Sequence, residues 1–368
     1  MAGPSPARPS RRPLIYTLAV VAVLAAVGAF VLVNRTEETG GGAGVEGSRP
    51  AFPTLVESRG NVRQIEIGEA QTGRVSVRLV RPADAPGWRL ATMADYPVPD
   101  DRVSVFLDTL AAAELITPVD PAQVPETGGA RPAWRRITLG TGAGEVLEAF
   151  DLGPEKSSPK ASELVATHIR AGDGEAIWLA DLVVERAIEA PHAWIDTQLL
   201  AVARAAIAEV RTAPDQGAPL RIRRRPGGAS QFELPGTDGD LRTDEAWKLT
   251  DLTVPFTDMI FDSVAWQDSA PSLFDGDWPG YMRTTDGLIL RFAVARRDDG
   301  AWMRFRLDRA APLIQDDAGL LAETNPASAD LDLAALRARL DGRMFQVPNH
   351  VADRLTRARE SIAVEEAD

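Results

Sequence analysis

Residues 14–33 read LIYTLAVVAVLAAVGAFVLV, twenty positions without a charged side chain. At about 1.5 Å per residue, a helix of this length spans roughly 30 Å, the thickness of a bilayer's hydrocarbon core. The stretch therefore predicts one transmembrane helix, and everything else must be arranged on either side of it. Arg8, Arg11 and Arg12 precede it with no acid among them, while Asn34, Arg35, Thr36, Glu37 and Glu38 follow it. The positive-inside bias places residues 1–13 in the cytoplasm and the bulk of the chain in the periplasm. A cleaved signal peptide is the rival reading, because Val27-Gly28-Ala29 resembles a small-residue cleavage site. The apolar run continues through Phe30-Val31-Leu32-Val33, which favours an uncut anchor.

Charge narrows the partners. The chain carries 40 Lys plus Arg against 53 Asp plus Glu, a formal net charge of −13. Without the three arginines before the span, 37 basic and 53 acidic side chains remain, an external charge of −16. Such a body repels nucleic acid and anionic headgroups, so no nucleic-acid partner is expected, and the only lipid contact expected is through residues 14–33. The absence of cysteine excludes disulfides, thiolate metal sites and a thiol nucleophile. Lys156, Lys160 and Lys248 are the only lysines, and with the heavy alanine usage they fit a GC-rich bacterial coding bias.

Residues 34–52 read as a linker, Gly-rich over TGGGAGVEGSR, that holds the body off the membrane. About 315 residues beyond the tether exceed a comfortable single core. The pattern divides them into a first α+β unit over 53–205, a second over 206–310 and a helical tail over 311–368. In the first, Val75, Val77 and Leu79 alternate with polar neighbours and return through Trp88-Arg89-Leu90 as a hairpin. Asp100 or Asp101 then caps a helix with Val103, Phe106, Leu107 and Leu110 on one face. Ile137 and Leu139, then Phe150 and Leu152, flank a glycine turn, and strands near 164–170 and 176–182 extend the meander. From Ile207 the order restarts with a strand, a hairpin over 220–234 and a helix carrying Phe256, Met259, Ile260 and Val264. A three-stranded run follows, with turns at Thr285-Asp286-Gly287 and Asp298-Asp299-Gly300. This is an expected divergent duplication of an antiparallel-sheet-plus-helix unit. In the tail, Asp330 is expected to cap a helix with Leu333, Leu336 and Leu340. A last helix from Asn349 shows Val351, Leu355, Ala358 and Ile362.

Phe52-Pro53-Thr54-Leu55, Gln64-Ile65-Glu66-Ile67, Leu79 with Trp88, Tyr96-Pro97 before the helix from Val103, Phe150-Asp151-Leu152-Gly153, Ile169-Arg170, Trp178-Leu179 and Trp194-Ile195-Asp196 carry a resemblance. Over residues 52–212 the chain resembles the bacterial domain of unknown function 4340 (DUF4340) family, with the second half alike in pattern only. The resemblance implies a membrane-anchored extracytoplasmic module associated with auxiliary components of gliding-motility-type ABC transporters. It carries no catalytic residues across. Two positions depart from the family pattern: Asp95 stands where Gly usually precedes Tyr-Pro, and Thr167-His168 replaces a Tyr-Val pair.

Candidate chemistry is sparse. Gly140, Gly142 and Gly144 do not read as a phosphate cradle, because a strand follows them where a cradle needs a helix. His168, His192 and His350 lie too far apart for a helical zinc motif. The pairs Asp100-Asp101, Asp298-Asp299 and Asp316-Asp317 sit at turns and caps, where adjacent acids are structural. There is no Gly-x-Ser-x-Gly elbow. No catalytic residue, metal ligand or cofactor is expected. Eight tryptophans remain, of which Trp278 in the Asp-Gly-Asp-Trp-Pro loop, Trp134 and Trp266 are the candidate interaction residues. The reading is a non-enzymatic accessory or scaffold protein, with ABC transporter permease or auxiliary subunits as the partner that the resemblance supplies. A cell-envelope glycan-binding module and an envelope hydrolase are the alternatives.

Overall fold

The computed structural model describes residues 49–124, 134–156, 166–172, 174, 176–184, 187–225, 232–235, 246–274, 276–310 and 332–361. The expected span at 14–33, the linker up to residue 48, Asp316-Asp317, Asp330 and Ile362 lie outside the described residues. No helix among the described residues is long and apolar enough to cross a membrane. From Arg49 onward the chain forms a single unit of mixed α+β structure with antiparallel sheets and short helices.

Ten strands make the first sheet: β1 Arg49–Pro50, β2 Gln64–Glu69, β3 Val75–Val80, β4 Trp88–Leu90, β5 Tyr96–Val98, β6 Glu114–Val119, β7 Arg135–Gly140, β8 Val146–Lys156, β9 Ala166–Ala171 and β10 Ile177–Ala180. Their order is β1-β6-β10-β9-β8-β7-β2-β3-β4-β5. Alternation decides which side faces inward: Ile65, Ile67, Val77, Leu79, Ile137, Leu139, Phe150 and Leu152 are all buried. Helices α1 Pro53–Ser58 and α2 Asp100–Ala111 add Leu55 and the stripe of Val103, Phe106, Leu107 and Leu110 to that core. The α2 cap differs from expectation. Pro99 is the capping position and Asp100 the first helical residue, with its carboxylate accepting from the Trp88 amide at 3.2 Å. A turn-forming acid is thereby spent tying the helix to β4. Arg49 and Pro50, counted with the linker in sequence, pair with β6.

On the outer side of this sheet Asp151 is fully buried between two arginines, Arg136 at 2.6 Å and Arg170 at 2.5 Å. Fork-shaped guanidinium groups from the two neighbouring strands give a lone carboxylate the partners its burial demands.

The second sheet contains β12 Ile207–Arg211, β13 Arg221–Arg224, β14 Phe232–Glu233, β16 Ser263–Trp266, β17 Gly280–Thr284, β18 Leu288–Arg297, β19 Gly300–Arg309 and β20 Arg343–Val347, in the order β14-β13-β12-β17-β18-β19-β20-β16. A small pair, β11 Gln198–Leu200 with β15 Met259–Ile260, lies in the connections. The three-stranded run has the expected register: Leu290 opposes Leu307, Phe292 opposes Phe305 and Val294 opposes Met303. Gly280 is required there, since a Cβ would stand 2.3 Å from the Phe292 ring.

Two expectations fail in this half. No helix runs through Phe256 to Val264; after α3 Ala246–Asp251 a one-turn α4 Val254–Thr257 ends at Asp258, and Met259, Ile260 and Val264 lie on strands. The apolar spacing suited a helix, but Val264 pairs with Phe345 on the new strand β20, so a long-range partner overrides the local period. The tail is likewise not purely helical. Between α5 Leu333–Leu340 and α6 Asn349–Leu355, β20 enters the sheet between β19 and β16. Asp332 is the α5 cap, accepting from the amides of Ala334 and Ala335.

The two sheets join around Arg343 of β20, only 7% exposed. Its Nε donates to Ala94 O at 2.8 Å, and its other nitrogens donate to Asp95 O at 3.0 Å and Ala338 O at 2.7 Å. The guanidinium also lies 5.9 Å from the Tyr96 ring centroid and 4.8 Å from that of Trp266. Beside it Tyr96 packs edge-on against Phe261 at 5.2 Å and Phe345 at 6.2 Å, and Phe345 meets Phe305 at 5.9 Å. Ala94 and Asp95 hold φ of 51° and 48°, a left-handed kink that aims both carbonyls at Arg343.

Arg343→Ala leaves three carbonyls without their donor and lowers unfolding free energy by about 3 kcal/mol, whereas Asp95→Gly removes left-handed strain and raises it by roughly 0.5–1 kcal/mol; denaturant midpoints of the two variants shift in opposite directions. Acid tests a second set of contacts. Burial alone would raise the Glu209 carboxyl, but bonds from Arg221 and Tyr281 outweigh it and hold it below the usual range. Arg291 and Arg306 likewise outweigh desolvation at Asp308. A carboxyl lowered in the folded state adds stability that is complete above its unfolded pKa, about 4, and is lost as pH falls through the lower folded value. Urea midpoints therefore drop on acidification below about pH 4.5, and Glu209→Gln flattens that drop.

Candidate functional site

A hollow lies between α2 and the connection from β10 to β11. On α2 the inward stripe leaves Val105 outside it, and this valine is 64% exposed. In the connection Leu182, Val184, Ile188, Trp194 and Ile195 are buried while Val183 is 56% exposed. Trp194 is fixed twice: its indole N–H donates to Ile188 O at 2.8 Å, and its ring stands edge-on to Phe106 at 5.2 Å and 88°. Arg102 then ties the helix to this turn by donating to Ala193 O at 3.1 Å and Ile195 O at 2.5 Å. The result is a groove of about 800 Å³ with Val105, Phe106, Val183 and Trp194 among its walls and Asp101, Arg102 and His192 among its polar groups. Chemically it offers apolar contact area with a charged border on a helix fastened at its N-terminal end by Asp100 and Arg102.

Val105 carried a usable sequence signal, since an apolar residue off the i, i+3, i+4 stripe of a surface helix has no core to enter. Val183 carried none, because the 181–197 connection has no regular period, and neither did Arg102, whose carbonyl partners lie more than 90 residues along the chain.

The three tryptophans singled out in sequence are placed on separate elements, and each has an arginine over its ring. Trp134, half-buried before β7, lies under Arg170 with the guanidinium carbon 5.0 Å from the ring centroid. Its ring packs where a Cβ on Gly153 would come within 2.8 Å. Trp278, half-buried before β17, has Arg304 at 4.4 Å; the same guanidinium lies 4.9 Å from Phe274 and donates to Asp277 O at 2.8 Å. Trp266 at the end of β16 is 41% exposed and lies beside Arg343. These pairings join residues far apart in sequence, so composition alone could not reveal them.

The remaining motifs have structural partners. Gly140 to Gly144 belong to the β7–β8 hairpin, with Thr141 N donating to Glu145 O at 2.8 Å and Gly144 at φ 82°. His168 on β9 lies with Nδ1 2.6 Å from Pro154 O, His192 is in a 3-10 turn and His350 is in the first turn of α6. The Asp299 carboxylate accepts from the Trp302 indole at 2.9 Å. Among the described residues no group of three or more His, Cys, Asp or Glu converges.

Comparison with known proteins gives one match, the family described as Domain of unknown function (DUF4340), over residues 88–274. The match starts at β4 and continues through β16, so it reaches further into the second sheet than the resemblance over 52–212 implied. No curated protein and no solved structure matches the chain. Because the match covers just over half of the 368 residues, the chain belongs to the DUF4340 family of domains of unknown function.

Proposed function

We propose that this protein is a non-enzymatic accessory or scaffold subunit, anchored in the bacterial inner membrane through residues 14–33, that works with an ABC-type transporter. The N-terminus is then cytoplasmic and the body periplasmic. The observation that carries this reading is the groove between α2 and the 181–197 connection. Exposed Val105 and Val183 border it on a frame fastened by Arg102, the kind of surface on which a partner's apolar side chains are desolvated. Anchoring adds to this by raising the local concentration of that surface at the membrane. The transporter itself comes from the family resemblance, and the twenty uncharged residues of the 14–33 stretch support the anchor.

The test is crosslinking in intact cells followed by mass spectrometry, on the wild-type chain and on Val105→Asp. An exposed valine can take this change with little loss of stability, roughly 0.5 kcal/mol or less. Permease or auxiliary transporter subunits are recovered with the wild type and depleted several-fold with Val105→Asp at equal protein level. Recovery of no transporter subunit, or equal recovery with both chains, contradicts the proposal.

A further inference from the structure

The acidic total conceals a basic face. Antiparallel register places residues directly opposite one another on the same side of a sheet. Arg221 of β13 opposes Arg211 of β12, which opposes Tyr281 of β17, then Arg291 of β18, then Arg306 of β19. This single row crosses five strands, four steps of about 4.8 Å or roughly 19 Å in all. It lies on the outer side, because Ile222, Val210, Met282, Leu290 and Phe305 of the intervening positions are buried. Arg211, Arg221 and Arg306 are exposed, and Arg291 and Tyr281 are half-buried.

The neighbouring row holds the arginines upright. Glu209 accepts from Arg221 at 2.5 Å and from the Tyr281 hydroxyl. Asp308 accepts from Arg291 at 2.6 Å and Arg306 at 3.0 Å. Two carboxylates thus orient three guanidinium groups and a phenol and neutralise only part of the charge. Arg211 makes no ion pair among the described residues, and Arg223, opposite Glu209, adds a further exposed cation. Alongside the row, Arg304 of β19, two residues before Arg306, lies between Phe274 and half-buried Trp278, which is three residues before Tyr281.

We infer that this row is a binding track for an acidic polysaccharide, a chain of uronic-acid sugars laid across the strands with its carboxylates on the arginines and sugar faces against Tyr281 and Trp278. Ring faces decide among linear polyanions: a uronic-acid chain offers an apolar ring face to Tyr281 between the arginines, whereas an acidic peptide offers carboxylates without one. A flat anionic membrane would meet the half-buried Asp308 as well as the arginines, whereas a single chain follows the arginines alone. Planar forks match carboxylates in pairs of hydrogen bonds, and aromatic faces take the apolar side of a sugar ring. This site is separate from the groove and does not depend on a transporter partner.

The test is affinity electrophoresis of the full chain in mild detergent through gels containing polygalacturonate or neutral dextran. The wild type is retarded by polygalacturonate only. Arg211→Gln with Arg306→Gln weakens that binding roughly five- to tenfold, while Arg74→Gln with Arg337→Gln, which removes the same charge elsewhere, leaves it within about twofold. Circular dichroism confirms folding. Should the double variant not fold, Arg211→Gln alone carries the comparison, since no ion pair of Arg211 is broken. No retardation, equal weakening by both pairs, or tighter binding of polyphosphate, single-stranded DNA or anionic vesicles through the same arginines overturns the inference.

Discussion

One buried guanidinium joins the two halves of the body. Arg343 arrives on β20, the last strand among the described residues, and directs its donors to carbonyls of the β4–β5 kink in the first sheet and of α5. A buried cation is costly unless every donor is met. Burial pushes the Arg343 guanidinium below its ordinary range, the direction that desolvation of a cation dictates. The carbonyls can meet it because Ala94 and Asp95 adopt a left-handed conformation that Gly takes with least strain. The aromatic cluster of Tyr96, Phe261, Phe345 and Phe305 then seals the junction from water. Burial also pushes the Tyr96 hydroxyl up to about 12.

From this junction the rest is held in place. One apolar cluster runs from Phe52 in the first half to Leu355 in the second. The groove at α2 and the arginine row on the second sheet are therefore two surfaces of one body. Electrostatics follow the same logic throughout: Asp151, Glu209 and Asp308 are each shared by more than one arginine or by an arginine and a tyrosine. Arginine, used almost to the exclusion of lysine, makes such sharing possible because its donors are fixed in a fork.

Where local chemistry decided the outcome, the sequence could be read. The β17–β18–β19 register followed from Asp-Gly turns and strict alternation, and α2 from the spacing of Val103, Phe106, Leu107 and Leu110. Where a distant partner decided it, the reading failed. Residues 256–264 had helical spacing, but only Phe256 lies in a helical turn: Met259 and Ile260 pair with β11, and Ser263 and Val264 with β20, a segment that itself looked like part of a helical tail. Nothing in the sequence singled out Arg343, although Asp95, where the resemblance led us to expect Gly, lies at the kink whose carbonyls it binds. The arginine row was invisible for another reason: its members are scattered from residue 211 to 306, and only strand register assembles them. A net charge of −13 then suggested the opposite of what that face presents.

The central physical claim, that the Arg343 junction makes one cooperative body of two sheets, is tested most directly by native-state hydrogen exchange read by mass spectrometry on the wild-type chain. Amides of β7–β8 in the first sheet and β18–β19 in the second are predicted to share one opening free energy and one denaturant dependence. Complete exchange of one sheet at a denaturant concentration where the other remains protected would contradict it.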